Sequence, residues 1–134
     1  MTRILIVDDE PSVLSALQRA LRQRFGAELV VQTETDAMLA LGRARNEFHE
    51  VVISDLRMPE IDGIAFLSLL AALQPASVRM ILTGAADLET AQRAIQDAGV
   101  FRYLTKPWVD AEFAAHVRAA IAHAETLRPI IDLR

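Results

Sequence analysis

Short aliphatic runs alternate along this chain with longer segments whose apolar positions recur every three or four residues. The runs predict strands over residues 3–8, 28–33, 50–54, 78–83 and 101–105. Ile4-Leu5-Ile6-Val7 and Val51-Val52-Ile53 show no alternation with polar residues, the pattern of strands covered on both faces, as in a parallel sheet. The intervening segments predict five helices, each with one apolar stripe. The first carries Leu14, Leu17, Leu21 and Phe25, with Pro11 in its first turn. The second spans 36–46, with Met38 and Leu41 inward. The third presents Ile64, Leu67, Leu70 and Leu73 and stops at Pro75. The fourth starts at Asp87 as its N-cap, carries Leu88, Ala91 and Ile95, and ends at Gly99. The fifth follows Asp110 and shows Phe113, Val117, Ile121 and Ala124.

Five strands alternating with five helices predict an α/β domain with a parallel sheet and right-handed crossovers. Such sheets hold their sites at the carboxyl ends of the strands, near the point where strand order reverses. Asp8, Asp9 and Glu10 follow the first strand, Asp55 the third, Thr83 ends the fourth and Lys106 follows the fifth. The second strand, expected at an edge, brings nothing comparable. Any one of these is bland: acidic residues cap helices, and a lone lysine is usually solvated. Together they place carboxylates, a hydroxyl and an ammonium on one rim.

Length and composition narrow the reading. The chain has 134 residues, 52% of them hydrophobic, enough for one domain with a real core and too apolar for disorder. No apolar run is long enough to span a bilayer, and no signal sequence opens the chain. Cysteine is absent, so disulfides and thiolate metal sites are excluded; a cytoplasmic location is expected. The formal charge of −4, with both signs mixed, does not suit direct binding to nucleic acid. His49, His116 and His123 read as solvated or helix-surface residues, without zinc-like spacing.

Crowding Asp8, Asp9 and Asp55 into one pocket is unfavourable unless a cation enters. Oxygen donors suit a hard, partly hydrated cation such as Mg²⁺. A carboxylate can act as a nucleophile toward phosphorus. Lys106 and Thr83 can stabilise phosphoryl oxygens, so the set supplies the charge stabilisation and positioning that phosphoryl transfer needs.

Four segments, Val7-Asp8-Asp9-Glu10-Pro11, Ser54 through Gly63, Leu82-Thr83-Gly84 and Tyr103-Leu104-Thr105-Lys106-Pro107, together resemble the response-regulator receiver family over residues 1 to about 125. The resemblance implies a flavodoxin-like, doubly wound sheet of order 2-1-3-4-5. It implies that Asp55 is the phosphoacceptor. It further implies that Asp9, Asp55 and the backbone carbonyl of Arg57 bind Mg²⁺ (or Mn²⁺) directly, with Asp8 acting mostly through a metal-bound water. Thr83 and Lys106 are implied to grip the phosphoryl group, Tyr103 to be a switch aromatic that follows Thr83, and Lys106–Pro107 to be cis. Arg57 and Ala85 flank the path of hydrolytic water and are implied to tune phosphate lifetime.

The implied partners are a sensor histidine kinase or phosphotransfer protein, an output domain or effector on the face of the fourth helix, fifth strand and fifth helix, and a homodimer. Neither nucleic acid nor membrane is expected to be bound directly. A metal-dependent phosphatase is disfavoured because Leu56 and Arg57 follow Asp55 where such enzymes keep a second aspartate. A degenerate receiver is disfavoured because every expected site residue is present. A flavin or nucleotide binder is disfavoured because no glycine-rich phosphate loop follows the first strand. The domain is assigned to 1–125 and residues 126–134 to a tail or linker, with no helix-turn-helix or catalytic domain following. The Tyr103-to-Trp108 segment resembles receivers that precede cyclic-di-GMP phosphodiesterase domains or kinase-linked modules. Arg102 departs from the acidic residue usual in transcription-factor receivers, so their dimer pattern is not assumed.

Overall fold

The computed structural model describes residues 1–132 and the side chains as far as Leu127. Five strands, β1 (Thr2–Val7), β2 (Leu29–Glu34), β3 (Val51–Asp55), β4 (Val78–Gly84) and β5 (Arg102–Lys106), form one sheet in the order β2-β1-β3-β4-β5. Every neighbouring pair is parallel. The helices α1 (Pro11–Phe25), α2 (Ala37–Ala44), α3 (Gly63–Leu73), α4 (Leu88–Asp97) and α5 (Asp110–Asp132) are the crossovers. This is the doubly wound, flavodoxin-like arrangement that the family resemblance implies.

Side chains alternate across each strand, so successive residues feed two cores. Ile4, Ile6, Val51, Ile53, Met80 and Leu82 pack with Leu14, Leu17, Leu21, Phe113 and Val117 of α1 and α5. Leu5, Val7, Val52 and Ile81 pack with Leu41, Phe66, Leu67, Leu70 and Ala91 of α2, α3 and α4. All five residues of β3 are buried, whereas β2, at the edge, is half-buried throughout.

Several boundaries move. β1, β2, β3 and β5 are each displaced by one residue at both ends and β4 ends one residue later than predicted, because ladder pairing rather than side-chain polarity sets strand ends. Asp55 pairs with Leu82 and Lys106 with Gly84, so both polar residues belong to their strands. α2 is shorter than predicted, and Met38 is exposed rather than inward. Its buried face is Leu41, inward as predicted, with the alanines Ala37, Ala40 and Ala44. Leu73, at the end of α3, is also exposed; the buried face of that helix is Phe66, Leu67 and Leu70. Gly99, at φ +67°, terminates α4 as expected. α5 continues to Asp132, past the position assigned to the start of a tail.

His49 corrects the reading of the histidines: it is fully buried. It stands just before β3 within a polar network at the amino-terminal end of the sheet. Its backbone N–H donates to Gln74 Oε1 (3.0 Å), its ring Nε2 lies 2.5 Å from Gln32 Oε1, and its carbonyl accepts from Ser77 Oγ (2.6 Å). Gln74 donates in turn to the carbonyls of Ala44 and Glu47, tying the end of α3 to the end of α2. Burial lowers the His49 pKa, with Glu47 opposing. The other two fit the surface reading better. His116 is half-buried on α5 beside Arg102, and His123 is exposed and stacks on Phe101.

Candidate functional site

Strand register brings the rim residues together. Val7 lies beside Ser54, Asp55 beside Leu82, and Gly84 beside Lys106. Asp8, the first residue past β1, is fully buried; its backbone N–H donates to the Glu34 carbonyl (3.2 Å) and its Oδ1 accepts from the Glu10 N–H (2.9 Å). Lys106 Nζ stands between two carboxylates, 2.9 Å from Asp8 Oδ2 and 3.2 Å from Asp55 Oδ1, and 3.9 Å from Glu10 Oε1. Burial, and then the charge of Asp8, raise the Asp55 pKa against the pull of Lys106. Burial draws the Lys106 pKa down, but the hydrogen bonds and charges of Asp8 and Asp55 outweigh it and the net shift is upward.

Lys106 alone does not balance the cluster. Oxygens of Asp8, Asp9 and Glu10 lie within 4.8 Å of one another, beside buried Asp55. This is the one grouping of potential metal-ligating side chains among the described residues. Its donors are all carboxylate oxygens, one of the residues is fully buried, and negative charge is in excess. That chemistry fits a hard divalent cation such as Mg²⁺.

The β3–α3 turn holds Asp55 from behind. The Leu56 N–H donates to the Leu82 carbonyl (3.0 Å) and the Gly63 N–H to the Leu56 carbonyl (2.8 Å). Gly63 presses so close that a Cβ there would lie 2.1 Å from the Asp55 carbonyl oxygen. The Asp62 side chain accepts from the Ala65 N–H (2.8 Å) and caps α3. Glu60 adopts φ +70° within the turn.

The remaining predicted residues surround this centre. Thr83 is buried, and its hydroxyl donates to the Gly84 carbonyl (3.2 Å). Ala85 is exposed at the start of a 3-10 turn, Ala85–Asp87. Tyr103 is half-buried against the α2–α3–α4 core and lines a groove of about 310 Å³ with Ile95, Trp108, Phe113 and His116. The Lys106–Pro107 peptide is cis. Arg57 does not reach over Asp55; the charged groups that act on Asp55 are Asp8, Lys106 and Asp9. Its guanidinium grips Asp87 instead, through Nη2 to Oδ1 (2.6 Å) and Nε to Oδ2 (3.1 Å). Asp87 occupies the N-cap position of α4, as predicted, but its side chain makes no capping hydrogen bond. The sequence alone does not reveal this, because nothing local pairs residues 57 and 87. A second groove, of about 480 Å³, lies at the other end of the sheet, between Phe48, Leu73, Pro75 and Leu127, remote from the carboxylates.

Comparison with known proteins agrees with this geometry. Residues 4–118 match the model of the response regulator receiver domain. The hydrogenase transcriptional regulatory protein HoxA of Bradyrhizobium diazoefficiens is 36% identical over 118 residues, which cover 88% of this chain and 24% of that one. This chain thus spans about a quarter of the length of the first curated relatives it matches. Among solved structures, one described as adenylate cyclase from Rhodopirellula baltica superposes with a TM-score of 0.89 at 32% identity, covering 99% of this chain and 97% of that chain. The beryllofluoride-activated NtrC4 receiver domain dimer gives 0.83 at 29% identity, covering 92% and 99%. Family model, relatives, fold and the acidic rim agree: the chain belongs to the response regulator receiver domain family.

Proposed function

We propose that this domain accepts a phosphoryl group on Asp55 from a phosphohistidine of a sensor kinase or phosphotransfer protein, and passes the event to its α4–β5–α5 face. The observation that carries the reading is Lys106 held between buried Asp8 and Asp55 at the carboxyl rim. An Asp55 oxygen forms the new O–P bond as the donor's P–N bond breaks; the electron pair goes to the imidazole nitrogen, which takes up a proton. Lys106 is already in place to follow the charge onto the phosphoryl oxygens. Thr83 exchanges its Gly84 acceptor for one of those oxygens. Asp8, Asp9, Asp55 and the Arg57 carbonyl are the proposed holders of Mg²⁺ or Mn²⁺, which when bound supplies the positive charge that lets a phosphoryl group approach this cluster.

Tyr103, lining the groove between α4 and α5, is the proposed relay: it turns inward as Thr83 moves. Arg57 and Ala85 are the proposed lifetime-tuning positions. The domain acts as a regulated acceptor rather than a turnover enzyme, and works in the cytoplasm; among the described residues no helix is long and apolar enough to cross a membrane. A transcriptional regulator and a protein described as a cyclase both match it, so the output belongs to a separate domain or partner, a cyclic-di-GMP phosphodiesterase among the candidates. The activated NtrC4 dimer supports self-association as one readout.

The test is phosphorylation by a small acyl-phosphate donor with Mg²⁺, read by intact mass. Wild type is expected to gain one phosphoryl group and Asp55→Asn none, because an amide is a poor nucleophile. Equal labelling of both proteins would remove Asp55 from the role.

A further inference from the structure

Three helices of this domain have an aspartate at the N-cap position that precedes them: Asp36 before α2, Asp62 before α3 and Asp87 before α4. The first two cap their helices. Asp36 accepts from the amides of Met38 and Leu39, and Asp62 from that of Ala65, with extended backbones at ψ 121° and 168°. Asp87 departs from both. Its ψ is 16°, its side chain accepts from no amide of α4, and both its oxygens are occupied by Arg57 at 2.6 and 3.1 Å. A good capping residue is thus diverted from the helix it precedes, and its captor is anchored two residues past Asp55.

This ion pair is built to be exchangeable. The Arg57 side chain is 68% exposed and that of Asp87 23%, so water and salt screen their attraction. A phosphoryl group on Asp55 brings nearly two negative charges and three acceptor oxygens. A guanidinium pairs with such a group through two parallel hydrogen bonds, as it does with a carboxylate, but against greater charge. The Nε–Nη2 edge that holds Asp87 cannot serve a phosphoryl group at the same time.

We propose that Arg57 and Asp87 form a latch opened by competition: Asp87 holds Arg57 in the unmodified domain, and a phosphoryl group on Asp55 takes Arg57 and releases Asp87 to cap α4. The inference rests on Asp55 being the phosphoacceptor. On release, Asp87 rotates toward the extended backbone of Asp36 and Asp62 and accepts from the amides of Glu89 and Thr90. That rearranges the 3-10 turn Ala85–Asp87 and consolidates the first turn of α4. Helix α4 borders the Tyr103 groove through Ile95, so the latch reaches the output face by a route separate from the Thr83 hydroxyl.

The experiment is amide exchange at Glu89 and Thr90, followed by NMR on the full chain with and without beryllofluoride and Mg²⁺. In wild type, beryllofluoride is expected to slow both amides severalfold. Arg57→Ala frees Asp87 permanently, so both amides are already slow in the unmodified protein and respond no further. Asp87→Ala leaves them fast in both states. An unmodified Arg57→Ala protein exchanging at the wild-type rate overturns the latch, as does Asp87→Ala slowing on beryllofluoride like wild type. Fluorine NMR of bound beryllofluoride separates the two levels. Wild type that binds none overturns the acceptor reading and the latch together, whereas normal binding with unmoved amides overturns the latch alone.

Discussion

Burial acts on Asp55 and His49 in opposite chemical senses: it raises the carboxyl pKa and lowers the imidazole pKa, because in each case the charged form is the one disfavoured. For His49 the consequence is a stability that depends on pH. The unfolded chain binds a proton near the ordinary imidazole value, about 6.5, while the folded chain resists protonation until lower pH. The unfolded state therefore holds more protons as pH falls through that window, and stability drops. We expect the melting temperature to fall between pH 7.5 and pH 5 with a component that His49→Gln removes, whatever that substitution does to stability at pH 7.5. An identical slope in the variant would assign the acid sensitivity to other groups. Sequence could not disclose this residue. His49 stands in the polar stretch Asn46-Glu47-Phe48-His49-Glu50, and only the arrival of Gln32, Gln74 and Ser77 from distant segments makes its burial tolerable.

Among the elements, the β3–α3 turn carries the tightest constraint. Gly63 lies where a Cβ would meet the Asp55 carbonyl at 2.1 Å, and that obstacle is backbone, not a side chain that can swing away. Gly63→Ala must push α3 from β3 or displace Asp55 itself. We expect a loss of about 2–4 kcal/mol by urea denaturation, with phosphoryl uptake falling further than stability accounts for. A variant as stable and as readily labelled as wild type would show that the turn yields.

At this scale the sequence is most informative about what repeats and least about what meets. The five strands and five helices are legible because each carries its own period, and the acidic rim because Asp8, Asp55, Thr83 and Lys106 each follow or end a strand. Strand limits slip by a residue because the partner strand sets them. The inward face of α2 is read correctly at Leu41 and misread at Met38, because alanines take the remaining inward places. The Arg57–Asp87 pair is invisible because it joins two loops through space alone.

For the whole molecule, the dominant tension is the gathering of Asp8, Asp9, Glu10 and Asp55 around one lysine. Folding brings these charges together, so their repulsion weighs on the metal-free native state and not on the dispersed unfolded chain. Asp9 is exposed and can be removed without opening a cavity. Asp9→Ala is therefore expected to melt higher than wild type in chelator. Wild type is expected to gain about 1–3 kcal/mol at Mg²⁺ well above its dissociation constant, a gain the variant loses. A lower melting temperature for Asp9→Ala in chelator would mean that its helix-terminal charge outweighs the repulsion. The same arrangement has a consequence in time. Asp8 is synthesised near the beginning of the domain and Lys106 near its end, and only the completed sheet joins them. A nascent chain emerging from the ribosome carries its acidic residues long before the lysine that will answer them, and β5 is the last strand of the sheet to be synthesised. Whatever chemistry Asp55 performs must wait for that event, so the domain cannot respond to a signal until its own translation is nearly finished.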